Sequence, residues 1–231
     1  MIPGTPETIK CPACEKLQQR QTLRSGNTFG AIYYSDGKYY APMLPEYPYY
    51  VKCPACGVFF KITTTVIIKT MNADQDSRTK TTEENHVHPF VKFLTVDECI
   101  QAINNGLYNI DKKDSKEWND DLLSLRISIW RALNNRTQGT DNATAPIKEL
   151  NDANADIKKI YDNNCRQILS LSKEDSDANL IMQAEIHRNL GEFDKCKDLL
   201  GEIKQPEKYN PYILAISAAC EAKNTFTVKI K

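Results

Sequence analysis

The tetrapeptide Cys-Pro-Ala-Cys occurs twice in this chain, at residues 11–14 and 53–56, with 38 residues between Cys14 and Cys53. A Cys-x-x-Cys turn presents two thiolates to one point, and two such turns supply the tetrahedral sulfur set that zinc takes in structural sites. Proline inside each turn fixes φ, and Gly57 permits the positive φ that follows a second ligand. In the first motif Glu15 stands where glycine is expected. The intervening stretch must therefore fold back on itself, which costs little because loop-closure entropy grows slowly with length. Cys11, Cys14, Cys53 and Cys56 are the candidate ligands of one structural zinc per chain.

Three other chemistries use cysteine pairs. A thioredoxin-like motif opens a helix after a strand, whereas Cys56 is followed by the strand-like "GVFFKI". Rubredoxin-like iron takes the same four ligands and is not excluded, since selectivity rests on geometry and metal supply. A catalytic zinc keeps one position open for water, and four cysteines close it.

The 231 residues leave room for one large or two modest domains, and 41% hydrophobic with 26% charged residues is ordinary globular usage. Basic and acidic residues cancel, which removes any overall field toward nucleic acid, membrane or an acidic partner. Residues 1–70 carry +4 and the remainder −4. The opening "MIPGTPETIK" lacks the basic and apolar regions of a signal peptide, and no apolar run reaches membrane-span length. The expectation is a soluble cytoplasmic protein whose thiols stay reduced.

"AIYYSDGKYYAP" predicts a hairpin turning at Asp36-Gly37 in a type I′ turn, pairing Tyr34 with Tyr39 and Tyr33 with Tyr40. "PMLPEYPYYVK" reads as extended through its prolines, and "GVFFKI" as a short final strand of this region. After a polar stretch, Thr95 with Glu98 predicts a capping box and Asn105-Gly106 its helix stop. Leu122, Leu125, Ile129 and Leu133 line one face of a second helix, with Leu123, Ile127 and Trp130 beside it. A third helix is expected from Ile147 to Ile168, with Ser172 capping a fourth.

The tail resembles one tetratricopeptide repeat. Gly191 ends its first helix, Phe193 and Cys196 follow, Pro206 closes the second, and Ala184 takes the small position. Small residues let paired helices approach, and such a pair needs a further layer to bury its face. "NPYILAISAACEAKN" is read as the start of that layer.

Tyr33, Tyr34, Tyr39, Tyr40, Tyr47, Tyr49 and Tyr50 lie between the two cysteine motifs. They serve either as aromatic bulk or, with Arg24, Lys38 and Lys52, as a stacking platform for single-stranded nucleic acid. His86 and His88 are read as loop residues, His187 as packed in its helix, and Cys99, Cys165, Cys196 and Cys220 as small buried hydrophobes. No nucleophile elbow, phosphate loop or zinc-protease motif occurs.

"CPAC", "SGNTFGAIYYSDGKYYAPMLPEYPYYVKCPACG" and "LRISIWRALNNR" together resemble uncharacterised bacterial proteins that join an N-terminal zinc ribbon to a helical, tetratricopeptide-like region. Leu125, Arg126, Trp130 and Asn134 match the helix of that family, and the resemblance implies no activity. The expected fold is α+β. A zinc-ribbon-like domain spans 1–70, a linker 71–90, and a helical domain 91–231 with a tetratricopeptide-like hairpin near 177–206. The expected role is a non-enzymatic adaptor or scaffold holding a protein partner through its helical region. Nucleic-acid binding by the tyrosine-rich ribbon is the alternative, and thiol redox chemistry the second.

Overall fold

The computed structural model describes residues 1–70, 89–108, 110, 116–134, 155–172 and 176–230. The expected linker as far as residue 88, with His86 and His88, and the expected helix start at Ile147 lie outside them. In chain order the strands are β1 (Ile2–Pro3), β2 (Glu7–Lys10), β3 (Leu17–Arg20), β4 (Leu23–Ser25), β5 (Ile32–Tyr34), β6 (Tyr39–Tyr40), β7 (Tyr50–Lys52), β8 (Phe59–Lys61), β9 (Ile67–Thr70) and β10 (Lys229–Ile230). The helices are α1 (Val96–Asn105), α2 (Lys116–Leu133), α3 (Ala155–Leu171), α4 (Asp177–Asn189), α5 (Phe193–Gly201) and α6 (Pro206–Glu221). Among the described residues nine strands precede six helices and β10 follows them, and the chain is α+β. Two compact units form, Met1–Phe29 with Ala41–Trp118 and Gly30–Tyr40 with Asn119–Lys231.

In the first unit β2 lies between β3 and β9, while β7 and β8 form a separate hairpin. "GVFFKI" is not the last strand of this region, because β9 follows it and sets Ile67 opposite Ile9. Ile9 is fully buried, and Ile67 packs on its cluster, so pairing with β9 helps cover this apolar residue. One apolar cluster of this unit holds Ile9, Cys11, Val51, Cys53, Phe60, Ile62 and Val66. α1 begins at the expected capping box: Thr95 Oγ1 accepts the Glu98 N–H, and Glu98 Oε2 accepts the Thr95 N–H. Its stop at Gly106 has φ +88°, a value that suits glycine.

In the second unit β5 and β6 form the expected hairpin, with the register moved by one residue. Tyr33 faces Tyr39 and Ile32 faces Tyr40. A type I′ turn needs positive φ at both central residues, and here only Gly37 has it, at +73°. The loop is therefore the three residues Ser35, Asp36 and Gly37, closed by the Tyr34 N–H to Lys38 O bond of 2.9 Å. β10 pairs with β5 in the register Lys229 to Tyr34, joining the hairpin to the far end of the sequence.

The helices build two apolar clusters. Trp130 of α2, Tyr161, Cys165 and Ile168 of α3 and Ile186 of α4 make one; Leu180, Ile181, Ala184, Cys196, Ile203, Ile216 and Cys220 make the other. α4 contributes to both. Ser172 is not the cap of α4, because its hydroxyl donates to Ile168 O in the preceding helix. Ser176 caps α4 instead, accepting the Asn179 N–H. Pro206 does not close α5, which ends at Gly201; it opens α6, where its missing N–H costs nothing. Asp177 accepts the Lys204 and Gln205 N–H groups at 3.0 and 2.9 Å just before α6.

A buried polar network runs through this unit. Glu185, at zero exposure, accepts from Arg188 Nε at 2.8 Å and from Ser35 Oγ at 2.6 Å, and Ser35 Oγ in turn accepts the Val228 N–H. Arg188 also donates to Asn224 O. Asp36 Oδ2 accepts from Asn134 Nδ2 at 2.7 Å, and Asn134 Oδ1 accepts from the Tyr161 hydroxyl at 2.9 Å. Trp130 Nε1 donates to Asn189 Oδ1 at 3.1 Å. Each of these bonds satisfies a polar atom that would be costly to bury alone.

Candidate metal centre

Each Cys-Pro-Ala-Cys motif is the turn of a hairpin, the first between β2 and β3 and the second between β7 and β8. Lys10 pairs with Leu17 and Lys52 with Phe59, so both turns hold six residues. Their internal bonding repeats. The Cys11 N–H donates to Lys16 O and the Glu15 N–H to Cys11 O; the Cys53 N–H donates to Val58 O and the Gly57 N–H to Cys53 O, all at 2.8–3.0 Å. Glu15 has φ +63° where Gly57 has +75°. The first turn therefore keeps the geometry of the second although its residue carries a Cβ, at a conformational cost of about 1 kcal/mol. An exposed ion pair with Lys10 at 2.7 Å holds the Glu15 carboxylate.

The two turns bring the four cysteines together. All four sulfurs lie within 4.8 Å of one another, with Cys11 Sγ 3.7 Å from Cys56 Sγ and Cys14 Sγ 3.6 Å from Cys53 Sγ. Sulfurs about 2.3 Å from a central zinc stand about 3.8 Å apart along the edges of a regular tetrahedron. The two close contacts have that length, and both are far longer than the disulfide bond of about 2.05 Å. Both join one turn to the other, as a shared ion requires. The donor set and spacing are compatible with a metal site.

The thiols differ in environment. Cys11 and Cys53 are buried in the apolar core, while Cys14 and Cys56 face outward. Burial pushes the Cys11 thiol up to about 12. The Lys16 backbone N–H, directed at Cys14, lowers its thiol to about 7. The Val58 N–H acts the same way on Cys56, but desolvation and the neighbouring sulfurs of Cys14 and Cys53 outweigh it and leave that thiol raised. Backbone donors aimed at sulfur favour thiolate, the form that binds a cation.

Elsewhere, Cys99, Cys165, Cys196 and Cys220 are buried as expected. His187 has its Nδ1 2.6 Å from the Glu192 carboxylate. The tyrosines between the motifs divide between the units: Tyr33, Tyr34, Tyr39 and Tyr40 belong to the second, Tyr47, Tyr49 and Tyr50 to the first. From the sequence Asp36 is a turn residue and Asn134 a match to the family's helix, with nothing to link the two. The structure joins them through the Asp36–Asn134 bond, and it adds Glu185 and Arg188, for which an i, i+3 charge pair was the only available signal. Among the described residues no helix is long and apolar enough to cross a membrane.

The model of a family described as an uncharacterized protein conserved in bacteria (DUF2225) matches residues 5–225, and the chain belongs to that family. No curated protein and no solved structure shows a significant match.

Proposed function

We propose that this member of the DUF2225 family is a non-enzymatic cytoplasmic adaptor in which one structural zinc fixes the β unit and the helical unit holds a protein partner. The observation that carries the metal half is the group of four sulfurs within 4.8 Å, contributed by two hairpin turns of the same conformation. Hairpins with strands of only three or four residues would gain folding energy from the ion. Zinc is preferred over iron because nothing in the chain speaks for electron transfer.

The partner half is supported by α4 and α5, which pack through Ala184 and Cys196 on either side of Gly191, at φ +79°. This packing supports reading the pair as a tetratricopeptide-like hairpin, with α6 as the further layer. On α6, Leu214 is 62% exposed beside an apolar groove that includes Pro211, Ala215 and Val228. Grooves of this kind accept apolar segments of other proteins.

Elemental analysis of untagged protein, with thiol titration before and after chelation, tests the metal half. One zinc per chain and four thiols released by chelator is the expected result; no metal, with cysteine pairs cycling between thiol and disulfide, makes redox chemistry the leading reading. Pull-downs that retain no partner defeat the adaptor half. A second reading, single-stranded nucleic-acid binding, is favoured by Tyr49, which is half exposed with the Lys61 ammonium 5.6 Å from its ring centre. An unstructured oligonucleotide showing no salt-sensitive binding removes it.

A further inference from the structure

Cys196 and Cys220 lie outside the candidate metal centre, and the function proposed above makes no use of their thiol chemistry. Cys196 sits in α5 and Cys220 near the end of α6, both almost fully buried in one apolar cluster with Ala184 and Ile216. Their sulfurs are 2.9 Å apart. That is less than an ångström beyond the bonded distance of about 2.05 Å, so a small relative movement of two neighbouring helices would close the bond. The two thiols are not equally placed. A cavity of about 460 Å³ opens beside the α4–α5 turn, and Cys220 forms part of its wall whereas Cys196 does not. Three lysines and three carboxylates share that wall with Cys220, Gly191 and Phe193, so its charges balance and its chemistry suits a small neutral reagent.

We infer that Cys196 and Cys220 are a site of reversible disulfide formation by hydrogen peroxide, with Cys220 attacking first and Cys196 resolving. In the first step the Cys220 sulfur attacks one peroxide oxygen and the O–O bond breaks; the thiol becomes a sulfenic acid and one water leaves. In the second, the Cys196 sulfur displaces the hydroxyl group from the Cys220 sulfur. The S–S bond forms, the Cys196 proton departs with that hydroxyl as a second water, and the two electrons lost by the thiols have reduced the peroxide. Burial and the adjacent Cys220 sulfur raise the Cys196 thiol, which keeps it protonated and unsuited to the first attack. The product would tie α5 to α6 and close the loop between residues 196 and 220.

The test uses the full-length wild-type chain treated with hydrogen peroxide, alkylated and mapped by mass spectrometry. The expected result is a Cys196–Cys220 cross-linked peptide, lighter than the two thiols by two hydrogens and reversed by dithiothreitol. The oxidised protein should melt higher by about 5 °C or more, as a closed loop of this size implies. In Cys196→Ala a sulfenic acid on Cys220 should be trapped by dimedone, and in Cys220→Ala Cys196 should stay reduced. Both thiols remaining free under conditions that oxidise an unstructured cysteine peptide would overturn the inference. So would first labelling at Cys196, or Cys220 joined to any other cysteine. The wild-type map decides the point even where a variant fails to fold. It also reports the fate of Cys11, Cys14, Cys53 and Cys56 on separate peptides, so failure of the zinc reading and failure of this one are read independently.

Discussion

In the first unit Cys11 and Cys53 sit among Ile9, Val51, Phe60 and Ile62, and their sulfurs face those of Cys56 and Cys14 on the opposite turn. In the second, Glu185 and Arg188 are as deeply buried, yet the chain supplies partners through Ser35, Asn224 and each other. Both units place polar groups at the centre of a small core. The second satisfies its groups from within, and the first offers a set of donors that a cation would complete. The two cores should therefore respond in opposite ways to a chelator and to a single side-chain deletion.

The largest effect belongs to metal removal. Structural zinc contributes on the order of 10 kcal/mol to small metal-bound domains, comparable to the whole stability of many proteins. Chelation, or Cys53→Ala, is expected to strip hydrogen-exchange protection from the amides of Ile9, Val51 and Phe60 while those of Ile186 and Ile216 stay protected. Equal loss in both sets would end the contrast between the units.

Glu185→Ala comes next. It leaves the Arg188 guanidinium buried without its carboxylate, and breaking a buried pair in this way costs about 3–5 kcal/mol. Replacing both residues by methionine keeps the volume and removes both charges, so the double variant is expected to be much closer to wild type in a urea titration. A double variant as unstable as the single one would show that the charges themselves, through Ser35 and Asn224, fix the packing.

A smaller effect depends on pH. Glu192 bridges Arg166 and His187, and the Arg166 guanidinium, with His187 beyond it, lowers its carboxyl to about 2. A folded-state value below the unfolded one adds stability above about pH 4.5, which is lost as pH falls toward 2. With Arg166 half exposed, the contribution is about 1–2 kcal/mol. Wild type should exceed Glu192→Gln by that amount at pH 7, and the gap should close between about pH 5 and pH 2. A gap that does not change with pH would assign the loss to packing.

These contrasts follow how far each region could be read from its sequence. The four clustered cysteines, the Thr95–Glu98 box and the Gly106 stop are local: residue type and spacing carry the physics. The hairpin was half legible. Asp36-Gly37 marked the turn, but the register depended on whether Asp36 would take positive φ, and its side chain instead bonds the Lys38 N–H and Asn134. Pairing of β5 with β10 joins residues nearly two hundred positions apart, and no local pattern in a two-residue strand announces it. A separation of 150 positions likewise hid Ser35 as the partner of Glu185.

The smallest effect compares the two cysteine turns within the first unit. Glu15 and Gly57 occupy matching positions with nearly the same positive φ. Glu15→Gly relieves about 1 kcal/mol of backbone cost, offset by the greater freedom of glycine in the unfolded chain and by loss of the exposed Lys10 pair. The expected net change is a stabilisation of no more than about 0.5 kcal/mol. Gly57→Ala is the converse, because a Cβ there meets nothing within 4 Å and its cost of about 1 kcal/mol is entirely conformational. Both are best measured as shifts in chelator concentration at half release, since the turn geometry and a bound ion would stabilise the same state. If Gly57→Ala releases metal no earlier than wild type, positive φ is not what the second turn requires, and its likeness to the first is coincidence.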